Sequence, residues 1–224
     1  MARVTATAGH PEALAELQST HGDSLLVLPL DVTDRAAVLE AMARAHAHFG
    51  RLDVILSNAG YGYMSAVQEI DIAAAKANFE TNVWGTLHVI HAALPYLRAQ
   101  GSGHILPLSS IAGMVSLPTG GSYIASKWGV EALSEGLAGE VSGFGLKVTK
   151  ARISAQDPGR RRAPAPPARP LHPRHIAPSL FPANSGETAA MDQTLAAFTP
   201  KVPLRDILTH ACIHFPEPPV LVLS

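Results

Sequence analysis

Cysteine is nearly absent from this 224-residue chain; Cys212 is the only one, so no disulfide can form within it. That usage points to a reducing, cytoplasmic setting. Aromatic residues are scarce at 5%, and charged residues reach 16% with a net charge of −1. A chain so close to neutral has no electrostatic reason to seek nucleic acid or an anionic membrane. No stretch approaches the ~18 uninterrupted apolar residues that a membrane span needs. The start, MARVTATAGHPEALAEL, has no apolar core of a signal peptide, so none is expected. Glycine-rich turns are missing as well: before Gly50 the only glycines are Gly9 and Gly22. A phosphate cradle between a first strand and helix has no candidate there.

What is present is a regular alternation of short apolar runs and helical patterns. Strands are expected over Arg3–Thr7, Leu25–Leu30, Leu52–Leu56, His104–Leu108 and Lys147–Ile153. Between them fall helices over Pro11–Ser19, Ala36–Phe49 (capped by Thr33 or Asp34), Ile72–Ala99 and Tyr123–Ser142. Strands separated by helices imply βαβ units, and near-continuous apolar strands imply a parallel sheet covered on both faces. The expected class is α/β, a Rossmann-like doubly wound parallel sheet built from residues 1–153.

The composition changes after Ile153. Between Pro158 and Pro182 stand eight prolines and five arginines, Arg160, Arg161, Arg162, Arg169 and Arg174, without one acidic residue. Residues 154–184 therefore read as an irregular or disordered segment, a solvated linker or a frameshift product rather than a nucleic-acid arm. In the last segment, 185–224, a helix is expected over Glu187–Phe198 and a strand over Pro219–Leu223.

Chemistry concentrates in SSIAGMVSLPTGGSYIASK, which holds Ser110, Tyr123 and Lys127. Tyr123 and Lys127 are four apart, so a helix puts them on one face. An ammonium beside a phenol favours the phenolate and makes tyrosine usable in proton transfer nearer neutral pH. Ser110 follows a strand, at the sheet edge where open α/β folds bind their ligands.

These residues resemble the short-chain dehydrogenase/reductase family, which places a serine thirteen residues before the tyrosine of YxxxK. Other landmarks fall in order. LDVTD (Leu30–Asp34) is similar to the family's adenine-contacting segment, with Asp31 and Val32 as the contacts. SNAG (Ser57–Gly60) is similar to its NNAG turn, in which Asn58, Ala59 and Gly60 line the cofactor and Asn58 also steadies the sheet. TNVWG (Thr81–Gly85) matches NVxG, and makes Asn82 the fourth catalytic residue, holding a water that joins Lys127 to solvent. The resemblance implies hydride transfer between NADP (or NAD) and a small alcohol or carbonyl substrate. In that scheme Tyr123 is the general acid/base, Lys127 binds the nicotinamide ribose, and Ser110 orients the substrate. It also implies a homo-oligomer formed through the helices that contain Asn82 and Tyr123.

Departures accompany the resemblance. The family opens with a strand, a TGxxxGxG loop and a helix, which this sequence lacks, so two inner strand edges are left unpaired, an aggregation liability unless something fills the gap. The lack argues against cofactor binding by this chain. Pro107 falls within an inner strand, a place that disfavours proline. PEPPVLVLS is similar to the family's C-terminal strand. An acid at the end of the second strand would repel a 2′-phosphate; Thr7, Ala8, Gly9 and His10 supply none, which tilts the cofactor toward NADP. Three readings stay open: an active oxidoreductase, a non-catalytic remnant serving at most in binding or dimerisation, and an incomplete gene product. No metal site is expected, since the pairs His46/His48, His88/His91 and His172/His175 have no ligand cluster around them. Trp84 and Trp128 read as core or subunit-interface anchors.

Overall fold

The structure, a computed structural model, describes residues 3–153 and 220–223. In chain order it runs β1 (Val4–Ala8), α1 (Ala15–His21), β2 (Leu25–Pro29), α2 (Arg35–Phe49), β3 (Val54–Ser57), α3 (Ile72–Phe79) and α4 (Thr86–Gln100). Then come β4 (Gly103–Ser110), α5 (Gly121–Val141), β5 (Leu146–Val148), β6 (Ala151–Ile153) and β7 (Val220–Leu223). The expected helix over Glu187–Phe198, the Pro/Arg segment, Cys212, His172 and His175 lie outside the described residues.

The strands form one sheet ordered β2-β1-β7-β3-β4-β5, with β6 also paired to β4. Pairing is parallel except along β7. Apolar side chains alternate between two cores, as a sheet buried on both faces requires. Val4, Ala6, Val54, Leu56 and Leu106 pack on one face with Leu14 and Leu17. Ile55 and Ile105 pack on the other, beneath Val38, Met42, Ala45, Val89 and Leu97 of α2 and α4 and Leu137 of α5. Asp34 is the cap chosen for α2, accepting from the amides of Ala36 and Ala37 at 2.8 and 3.1 Å.

The structure answers several sequence expectations. β7 fills the gap between the inner edges, with Val222 opposite both Thr5 of β1 and Ile55 of β3. The terminal strand thus sits in the middle of the sheet, and it runs antiparallel, so the sheet is mixed rather than wholly parallel. Pro107 costs little. Ile105 turns its carbonyl to the Thr149 amide at 3.0 Å, so Pro107, two residues on, faces the same side, where the chain breaks between β5 and β6. The strand expected over Lys147–Ile153 is for that reason two short ones. Finally, the helix expected over Ile72–Ala99 is interrupted by a π-helical turn, Glu80–Gly85. The helix read over Pro11–Ser19 opens as a 3-10 turn, Pro11–Leu14.

β6 is fastened to α5 by charge. The Arg152 guanidinium donates through Nε and Nη2 to the two carboxylate oxygens of Glu131 at 2.9 and 3.0 Å. Lys150 approaches the same carboxylate at 3.3 Å. Burial, the largest single influence, pushes the Glu131 carboxyl up, but the bonds and charge of Arg152 together with Ser109 and Lys150 outweigh it and hold it below its ordinary value. A depressed carboxyl contributes stability above its unfolded value and loses it as pH falls through the folded one. Among the described residues, no helix is long and apolar enough to cross a membrane.

Three outcomes are expected in urea and thermal unfolding. Glu131→Gln costs about 1.5–3 kcal/mol, the worth of hydrogen bonds to a charged group, and flattens the acid limb of the stability–pH curve below the ordinary carboxylate range. Equal acid limbs in both proteins rule the pair out as its source. Gly85→Ala places a methyl 2.5 Å from Cγ2 of Val32 and costs about 1–3 kcal/mol of overpacking. Val222→Pro removes ladder bonds inside the sheet, and light scattering rises as the edges of β1 and β3 open. A monodisperse V222P protein would mean that β7 does not close the sheet.

Candidate active site

The parallel strands β3 and β4 end side by side, and the loops after them carry most of the expected site residues. Ser57 closes β3; Asn58 and Ala59 follow it, both buried. Ser110 closes β4, its hydroxyl oxygen accepting from the Ala112 amide at 3.2 Å to cap a single 3-10 turn. Tyr123 and Lys127 lie on the first two turns of α5. The Lys127 ammonium sits 5.9 Å from the centre of the Tyr123 ring and donates to the Leu108 carbonyl at 3.0 Å, which ties α5 to β4 just before Ser110. Only 4% of Lys127 is exposed, so its charge is held inside the site rather than spread into solvent.

Asn82 joins the loop after β3 to the helices. It sits on the π-helical turn, wholly buried. Its Oδ1 accepts from the Tyr61 amide at 2.9 Å and its Nδ2 donates to the Tyr61 carbonyl at 3.1 Å. The same nitrogen reaches Ser126 Oγ at 2.9 Å, and Ser126 donates onward to the Tyr123 carbonyl at 2.7 Å. A short chain of bonds thus links Asn82 to the backbone of Tyr123. Gly60 lies in the angle between the two polar groups. A Cβ there would stand 2.9 Å from Asn82 Oδ1 and 3.1 Å from Lys127 Nζ. Only glycine lets the turn come that close.

Sequence reading missed three members of this cluster: Tyr61, Asn78 and Ser126. Asn78 is buried and donates to the Tyr61 carbonyl at 2.7 Å. Its signal was legible, since Asn78 and Asn82 stand four apart in an apolar helix. Burial raises the Tyr61 phenol above its ordinary value, so it is a poorer proton-transfer group than an accessible tyrosine.

The expected adenine contacts lie apart from this cluster. Asp31 is exposed beyond β2 and accepts from the amide and hydroxyl of Thr33, both at 2.8 Å. Val32 is buried against Gly85, and its carbonyl meets His88 Nδ1 at 3.0 Å. Trp84 and Trp128 are about half exposed, and Trp128 Nε1 donates to the Ala112 carbonyl at 3.1 Å. Among the described residues, no three or more His, Cys, Asp or Glu gather where a metal could bind.

Known proteins resemble this chain in sequence and in fold. Oxidoreductase BOA17 of Botryotinia fuckeliana is 43% identical over 147 residues, which cover 65% of this chain and 54% of that protein. The chain spans about half the length of the curated relatives it matches. Among solved structures, serine dehydrogenase from Escherichia coli superposes with a TM-score of 0.65 at 30% identity, covering 68% of this chain and 70% of that one. ElxO with NADP bound gives 0.64 at 28% identity, covering 66% and 61%. The family described as short chain dehydrogenase matches residues 2–159. With well over half of the chain inside that match, and the sheet and helices superposing on solved members, the chain belongs to the short-chain dehydrogenase family.

Proposed function

We propose that the protein is an oxidoreductase that interconverts a small alcohol and the corresponding carbonyl compound with NADP(H), or NAD(H). What supports this is the meeting of Asn82 and Lys127 at Gly60, where a Cβ would crowd both, with Tyr123 one turn before Lys127 and Ser110 two residues beyond the Leu108 carbonyl that Lys127 bonds. In reduction, a hydride and a proton add across the C=O bond; the carbonyl becomes an alcohol as the nicotinamide is oxidised. The cofactor supplies the hydride when bound. The residues do the rest. Ser110 donates a hydrogen bond to the carbonyl oxygen, and Tyr123 gives that oxygen its proton. Lys127 offers a positive charge to the phenolate that remains and a donor to the nicotinamide ribose. Asn82 and Ser126 fix the backbone of Tyr123.

Residues present suit the nicotinamide end of the cofactor, because the turn at Gly60 comes close to the Lys127 ammonium, 3.1 Å from where a Cβ would lie, and that ammonium would hold the ribose. Asp31 and Val32 are assigned the adenine side, and Asn58 and Ala59 the wall behind Gly60. The unit that works is residues 1–153 with β7 closing its sheet, and a second copy packs through the exposed Trp84 and Trp128. The NADP-bound relative favours NADP.

One observation favours a second reading, a non-catalytic remnant that binds or dimerises. β7 lies antiparallel in the central slot, so no strand there leads into a helix N-terminus able to hold a pyrophosphate among the described residues.

The full chain is to be mixed with NADPH and simple ketones while absorbance of the reduced nicotinamide is followed. Expected is ketone-dependent oxidation that falls by about 10²–10⁴-fold in Tyr123→Phe, the worth of a general acid. Unchanged turnover in Y123F overturns the role of Tyr123. No oxidation together with no fluorescence change on NADPH titration selects the remnant.

A further inference from the structure

The oxidoreductase reading leaves the substrate unnamed, and the inference drawn now rests on that reading. We propose that the described part of the substrate site is an uncharged, apolar wall that selects a neutral ketone or secondary alcohol bearing hydrophobic substituents.

Two loops border Ser110 and Tyr123. One follows β3 and the other joins β4 to α5. The chain from Val54 to Gln68 holds no charged residue and no histidine, and neither does the chain from Ile105 to Ser126. With charged residues at 16% overall, two neutral stretches of this length beside one site set its chemistry. Their backbones are tied together, since the Ser65 amide donates to the Thr119 carbonyl at 2.7 Å. Thr119 has a φ of +65°, and it is the one described non-glycine residue in the left-handed region. A side chain held there is strained, so the surrounding structure fixes this loop.

Four large apolar side chains of these loops stay in solvent. Met64 is 62% exposed, Val67 76%, Met114 50% and Val115 44%. Val67 reaches over the first turn of α5, its Cγ2 3.5 Å from where a Gly121 Cβ would lie, two residues before Tyr123. Met114 and Val115 begin just past the 3-10 turn that Ser110 caps. Exposed apolar groups clustered beside polar chemistry mark a surface that waits for an apolar ligand. Methionine adapts to varied shapes, which suits a loose alkyl or aryl contact more than a sugar. A carboxylate or phosphate near the reacting carbon would be desolvated here without a partner. Lys127 lies behind Tyr123 with one N–H on the Leu108 carbonyl and its charge directed at the phenol, so it adds no cation to the wall itself.

The test uses the full chain labelled with carbon-13 at the methyl groups of its five methionines. Benzylacetone, a neutral aryl-alkyl ketone, is compared with its para-carboxylate. Expected are saturable shifts of the Met64 and Met114 signals and none of Met42, which is buried in the core. Benzylacetone should bind about tenfold or more tightly than the carboxylate. Met114→Lys should narrow or invert that preference; Met64→Lys is the substitute if the first variant fails to fold. Equal affinities, tighter binding of the carboxylate, or no saturable shift overturn the proposal. So do Met64 and Met114 shifts that depend on protein concentration alone, because a second copy would then cover the wall. NADPH oxidation followed in parallel separates the two readings. Selective binding without oxidation overturns the redox reading and leaves the apolar wall standing. Oxidation that favours the carboxylate does the reverse.

Discussion

A single side-chain amide holds the site together. Asn82 grips both the N–H and the C=O of Tyr61 with its own two polar ends, as a neighbouring strand would. Such a pair works only if the amide cannot turn, and full burial among Asn78, Ser126 and the glycine turn prevents it. The loop after β3 is thereby fixed to the helix layer. Ser126 carries the constraint to the Tyr123 backbone and Lys127 carries it to β4. In a dry interior each of these bonds is expensive to break, since the partner left behind stays desolvated.

The π-helical turn gives Asn82 its place. An α-helix running unbroken from Ile72 would carry every later residue about 100° per position along its surface. The wider turn over Glu80–Gly85 inserts a local offset, so Asn82 faces the Tyr61 loop while Val89, Ala93 and Leu97 still face the sheet. Gly85 closes the turn and lets Val32 pack within van der Waals reach of the backbone. One glycine thus settles how α4 sits against the loop beyond β2.

β7 answers a different demand. Inner strands β1 and β3 each present unpaired N–H and C=O groups toward the gap between them, and burying these without partners costs more than a four-residue strand gives up in entropy. The run Val220–Leu223 has the β-branched, apolar character that suits a slot flanked on both sides. Its direction matters for chemistry. A parallel strand would lead its following loop to the same edge as Ser110 and Gly60, whereas β7 enters the sheet there and leaves at the opposite end.

The local sequence determined the elements. Asp34 before Arg35 and Asp71 before Ile72 cap helices because their carboxylates reach the first free amides, whatever the rest of the chain does. Alternation in β3 and β4 placed apolar groups on both faces, and in β1 on one, with Thr5 and Thr7 on the other; Ser110, Tyr123 and Lys127 could be named from spacing. What the sequence could not decide was partnership. A strand's pattern gives its faces and not its neighbours, so the seat of Val220–Leu223 and its direction followed from which edges were open. Helical periodicity is likewise blind to a one-residue offset, which hid the π-helical turn and with it the roles of Tyr61 and Ser126. Those are contacts between residues 17 to 44 apart, and only the packed tertiary structure brings them within bonding distance.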